Sequence, residues 1–153
     1  MNHLLASLVA GLLLQQPFPT SPFMGHLDRP VQGETITAPR LVFAGWALNC
    51  DTGQQPAYVT LYMARPRDPL TGASTLLVIP AEIRWRLSRP DALAAVPGCG
   101  QLKPALGYHI YPLGPLPTGP IEAMLRFSDV PLADWIFPSR EVHYESVAIT
   151  IAP

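Results

Sequence analysis

The chain of 153 residues contains 19 prolines, more than twice the usual share of about 5%. Proline lacks a backbone donor and breaks helix interiors, so it belongs in turns, at sheet edges or at first helical positions. Between Gly25 and Pro153 no long stretch escapes Pro or Gly while keeping a 3.6-residue apolar period. The expected fold is therefore strands and loops. Apolar residues make up 48% of the chain and charged residues 14%, which supports a packed core and argues against global disorder.

Segments of period 2, bounded by turn residues, mark the strands. Arg40–Ala47 is apolar on both faces, as a central strand would be. Tyr58–Met63 sets Val59, Leu61 and Met63 against Tyr58, Thr60 and Tyr62. In Glu82–Leu87, Ile83, Trp85 and Leu87 face one way, with Glu82, Arg84 and Arg86 on the other. Ile121–Phe127 turns Ile121, Ala123, Leu125 and Phe127 inward and leaves Glu122 and Arg126 outside. His143–Ile151 closes the chain with Val147, Ile149 and Ile151 inward. Gly33–Ile36, Thr75–Ile79 and Gly107–Tyr111 are weaker candidates. About seven or eight short strands with frequent turns give an all-β chain with the profile of a β-sandwich. One short helix is expected over Ala92–Val96, with Pro90 at its first position and Pro97-Gly98 ending it. No helical crossovers of the kind a parallel sheet uses are visible.

Leu4–Leu14 is an apolar run interrupted only by Ser7. It is shorter than the roughly 20 residues of a membrane-spanning helix but fits the apolar part of a secretory signal. Met1-Asn2-His3 carries no Lys or Arg and no A-x-A site follows, so a retained N-terminal helix or anchor is the alternative. With Pro17, Pro19 and Pro22 excluding helix, residues 1–24 read as an export signal and flexible lead-in, and 25–153 as one domain.

The two cysteines, Cys50 and Cys99, stand alone, with no C-x-x-C and no histidines clustered about them. A zinc site needs about four ligands, which leaves a disulfide, or else two buried thiols. A disulfide agrees with export. The net charge of −1 with no long charge run argues against nucleic acid or an anionic membrane surface as partner.

Three pieces in order resemble the immunoglobulin-like domains of bacterial cell-surface and secreted proteins. They are Leu41–Thr52 (LVFAGWALNCDT) with Ala57–Tyr62, then Arg89–Gly100 (RPDALAAVPGCG) with Gly107-Tyr108, and Leu116–Arg126 (LPTGPIEAMLR). The resemblance covers roughly residues 26–153. It implies an immunoglobulin-like β-sandwich outside the cytoplasm, used as spacer, adhesion or carbohydrate-proximal module, and it implies no reaction. Leu113–Gly119 is richer in proline than that pattern, and Leu132–Arg140 reads as an insertion. Cys50 and Cys99 do not sit where an antibody domain has its core disulfide. A bond between them would clamp two loops at one end of the domain.

No nucleophile elbow, H-E-x-x-H, P-loop, G-x-G-x-x-G or calcium loop occurs, and His3, His26, His109 and His143 are isolated. No catalytic, metal or cofactor residue is expected. The leading expectation is a non-enzymatic module with a structural, adhesion or interaction role at the cell envelope. The alternatives are a carbohydrate- or protein-binding module using aromatic side chains, and a small secreted hydrolase with a dispersed site. Tyr58 and Tyr62 share one strand face about 13 Å apart; an open face would let them stack sugars, and a covered one would bury them. Trp135 and Phe137, in the insertion, are candidate ligand contacts if exposed and core residues if tucked in. Trp46 and Trp85 lie on apolar stripes and are expected in the core.

Overall fold

The fold is seen in a computed structural model that describes residues 22–96, 99, 106–130 and 142–153. The described residues form nine strands. They are β1 (Phe23–Arg29), β2 (Thr35–Thr37), β3 (Phe43–Asn49), β4 (Tyr58–Ala64), β5 (Leu76–Ile79), β6 (Ala81–Leu87), β7 (Gly107–Pro112), β8 (Gly119–Ser128) and β9 (Val142–Ala152). One short α-helix, α1 (Pro90–Ala95), carries proline in its first turn as the sequence predicts. The strands make two sheets, ordered β1-β3-β7-β6 and β2-β9-β8-β4-β5. The all-β expectation holds, with more strands than the seven or eight counted from the sequence. Among the described residues no helix is long and apolar enough to cross a membrane.

Two differences from the sequence reading have clear causes. β1 begins at Phe23, inside the stretch read as a flexible lead-in, and pairs antiparallel with β3 along its length. Phe23 is buried, and the backbone of Cys50 donates to the Pro22 carbonyl at 2.8 Å. A polar His26 and Asp28 on the outer positions, with Gly25 among the inner ones, hide its alternation. β2 pairs in parallel with β9, although the described residues hold no long crossover helix. The chain leaves β1 through the cis Arg29–Pro30 peptide and joins the other sheet beside the last strand, so the rest of the domain lies between the two partners.

The core lies between the sheets. Phe43, Ala47, Tyr108 and Ile110 from one sheet meet Leu61, Met63, Leu125, Phe127, Val147, Ile149 and Ile151 from the other. These are the inner positions that the alternation selects. Tyr108 is the central ring, edge-on to Trp85 at 5.7 Å and tilted against Phe127 at 5.4 Å. It stands across from Gly45 in the register of β3 and β7. A Cβ on Gly45 would lie 2.7 Å from the Tyr108 hydroxyl and would overlap the His26 carbonyl oxygen. The glycine of GWAL is thus the space that the tyrosine occupies.

β3 is apolar on both faces because each is covered. Its outward Trp46 and Leu48 pack with Ala92 and Val96 of the helical segment and with Leu106. Over this second cluster lies the Cys50–Cys99 disulfide, tying the loop after β3 to the turn after α1 as expected. The RPD sequence has a structural task here. Arg89 donates from Nε and Nη2 to both Asp91 carboxylate oxygens, at 2.8 and 2.6 Å, and from Nη1 to Asp28 of β1 at 2.6 Å. Asn49 and the Ala57 amide both donate to Asp129, at 2.7 and 2.9 Å, closing the ends of β3, β4 and β8 together.

Candidate functional site

The outer face of the five-stranded sheet holds the most unusual side chain in the molecule. Alternation along β8 points Leu125 and Phe127 into the core and Arg126 outward. Arg126 nevertheless is only 1% exposed. Its Nε, Nη1 and Nη2 are all buried without a hydrogen-bond partner among the described residues. Leaving a buried charge unpaired costs several kcal/mol, and arginine does not escape by losing its proton. The expectation that Arg126 lies outside is therefore corrected. The strand face was read properly, but burial of an outer face depends on what covers it, which alternation does not report.

The register places hydroxyl groups around this guanidinium. Thr60 of β4 and Tyr144 of β9 stand directly across from Arg126. Tyr58 and Tyr62 lie one outward step to either side on β4. The Tyr62 phenol is raised above its ordinary range, chiefly by burial, with Arg126 pulling it down and Tyr144 adding to the rise. Tyr58 is 44% and Tyr144 43% exposed, while Tyr62 is 6% exposed. The two tyrosines that the sequence pairs do share a face, but one is open and the other buried, so they do not form a two-ring platform.

A second polar cluster sits between the sheets near β1 and β9. The His143 ring meets Glu145 at 2.8 Å and stacks on Phe127 at 6.2 Å. Burial pushes the Tyr108 phenol far up, and Glu145 and Asp28 push it further. Glu145 is thus engaged by His143, and Asp28 by Arg89. Each of these groups has its counterpart. The serine hydroxyls that bond do so elsewhere: Ser128 with the Val130 backbone and Ser74 with the Arg65 carbonyl. Among the described residues no group of three or more metal-type ligands comes together.

On the outer face of the four-stranded sheet, polar side chains of β6 and β7 pair with one another. Arg84 bonds Glu82 at 2.7 Å and lies over the Tyr111 ring at 4.8 Å, and the Tyr111 hydroxyl meets His109 Nδ1 at 3.3 Å. Trp46 and Trp85 pack in the core clusters as expected. Trp135 and Phe137 lie outside the described residues. Of the candidate ligand contacts, Tyr58 and Tyr62 come together around Arg126, which sequence reasoning missed. Tyr144 was missed with it. The only signal was positional, an arginine amid hydroxyl-bearing residues on adjacent strands.

The chain matches no protein-family model. A comparison with curated proteins finds no match either.

Proposed function

We propose that the chain is a non-catalytic immunoglobulin-like interaction module that works outside the cytoplasm and binds through the outer face of its five-stranded sheet. The strand orders support the immunoglobulin-like part. The order β1-β3-β7-β6 follows the A-B-E-D sheet of such domains, and β9-β8-β4-β5 follows G-F-C with an added C′. The parallel pairing of β2 with β9 fits a first strand that switches sheets. The disulfide agrees with an oxidising compartment. It departs from the antibody pattern, since Cys50 and Cys99 clamp one end and Tyr108 occupies the centre.

The observation that carries the binding role is the unequal finish of the two outer faces. One is covered by helix and disulfide or closed by mutual pairs. The other keeps a buried guanidinium, unpaired among the described residues, between two exposed tyrosines. Binding to a glycan and surface-protein array tests the reading, with mass spectrometry of the bound spots for cleavage. Signal lost in Tyr58→Ala or Tyr144→Ala and kept in Arg84→Ala is expected. Signal that survives a Tyr58→Ala/Tyr144→Ala double variant, or cleavage of the captured molecule, overturns it.

A further inference from the structure

We propose that Arg126 is the anchor of a binding site for a carboxylated saccharide, formed on β4, β8 and β9. The proposal rests on the interaction-module reading and names the ligand class of that face.

Arg126 is the one charged residue in the buried set of the described chain. Arg89 and Arg84, by contrast, have carboxylates within 2.8 Å. A guanidinium offers a planar fork of donors that a carboxylate meets with two parallel hydrogen bonds. A ligand carboxylate would thus supply what the protein leaves out.

The surroundings define the rest of the ligand. Among the described residues of β4, β8 and β9 the face offers one cation, with Thr60 and Tyr144 across from it and Tyr58, Tyr62 and Ser146 at neighbouring outward positions. Each brings a hydroxyl. Glu122, four residues back on the same face of β8, is exposed. A run of carboxylates, as on an acidic peptide, would find one countercharge and then meet Glu122. A sugar acid carries one carboxylate among hydroxyls, and this matches both the single charge and the hydroxyl ring. The exposed faces of Tyr58 and Tyr144 suit the apolar side of a pyranose. Tyr144 stands directly across from Arg126 in the register.

The test is an amide-shift NMR titration of the protein with glucuronate, its methyl ester, glucose and tetraglutamate, at matched ionic strength. Glucuronate is expected to give saturable shifts centred on Thr60, Arg126 and Tyr144, with the ester and glucose about tenfold weaker or more. Arg126→Met is expected to lose glucuronate binding by a similar factor. It should fold with an unchanged or higher thermal midpoint, because it removes an uncompensated buried charge. A lowered midpoint would mean that the chain itself satisfies the guanidinium, and the site would fall. Equal binding of glucuronate and its ester, or tighter binding of tetraglutamate, overturns the saccharide-acid assignment while the interaction module stands. If no array ligand depends on Tyr58 or Tyr144, the module reading itself fails.

Discussion

Replacing both cysteines, as Cys50→Ala/Cys99→Ala, tests how the end of the domain is held. The bond joins residues 49 apart in sequence. In the chain-entropy model, closing a loop of that length removes about 14 cal/mol/K from the unfolded chain, or about 4 kcal/mol at 25 °C. That is a large part of the 5–15 kcal/mol of an ordinary domain. The loss acts on the unfolded state, so global stability should fall by about 4 kcal/mol wherever it is read. A second, local effect follows from the packing. Trp46, Leu48, Ala92, Val96 and Leu106 form a cluster separate from the main core, and both cysteines lie against it. Without the bond, the α1 segment can lift away at the expense of that small cluster and the Arg89–Asp28 pair. Urea denaturation gives the first quantity and native-state hydrogen exchange the second. The Ala47 amide, bonded to the Leu106 carbonyl, and the Cys50 amide, bonded to Pro22, should exchange by local opening with little urea dependence. Amides in the β8–β9 ladder should still exchange through global unfolding. A stability loss under about 1 kcal/mol, or one equal loss of protection at every amide, refutes the argument.

Three further outcomes follow from single sites. Gly45→Ala forces a Cβ into the Tyr108 hydroxyl and the β1 backbone, and should cost about 3 kcal/mol, the upper end of the usual overpacking range; calorimetry showing an unchanged Tm would contradict it. Asp129→Ala removes the acceptor of both Asn49 and the Ala57 amide, and should cost about 2–4 kcal/mol in urea unfolding, with Asp129→Asn recovering part of it. The Asp91 carboxyl is held down to about 2, first by its hydrogen bonds from Arg89. A depressed carboxylate contributes stability above its unfolded pKa, near 3.9, and loses it as pH falls toward the folded value. Asp91→Asn should therefore flatten the fall in Tm between about pH 4 and pH 2, and an unaltered acid limb would count against the Arg89 clamp.

The strands that bury one face were readable because burial on one side leaves a period of 2 in the residues. Tyr58–Ala64, Ala81–Leu87 and Val142–Ala152 carry that stripe, and their inner positions are the core. β3 was readable for the opposite reason, since two covered faces leave no polar side. The strand runs Phe43–Asn49 rather than Arg40–Ala47, and Arg40 ends a 3-10 turn. β1 was not, because Gly25 sits where a Cβ would lie 2.9 Å from the Trp46 carbonyl oxygen. The close approach of strands took away the apolar side chain that would have signalled it. At the site, alternation assigned Tyr58, Tyr62 and Arg126 to outer faces correctly. It could not say that Tyr62 and Arg126 are buried there, because solvent exposure of an outer face is decided by contacts distant in sequence. Tyr144, five residues before the inward Ile149, is likewise an ordinary outer position until β8 brings Arg126 opposite it.

Those two outer faces explain why the domain needs its clamp where it lies. A two-layer domain has one core and two outer surfaces, and each outer surface faces water, is covered by other chain, or receives a partner. On the four-stranded sheet, Trp46 and Leu48 make the middle strand too apolar to face water, so α1 and the disulfide close it. Arg84, Glu82, Tyr111 and His109 then finish the remainder with one another. Among the described residues no buried polar side chain there lacks a partner, and a binding molecule would have to break these bonds to use them. On the five-stranded sheet the order is reversed. Among the described residues the demand of Arg126 is unmet, so a carboxylate that reached it would break no hydrogen bond and would satisfy a donor set that is already buried. Much of the desolvation that ordinarily opposes binding a charged group is then already carried by the fold.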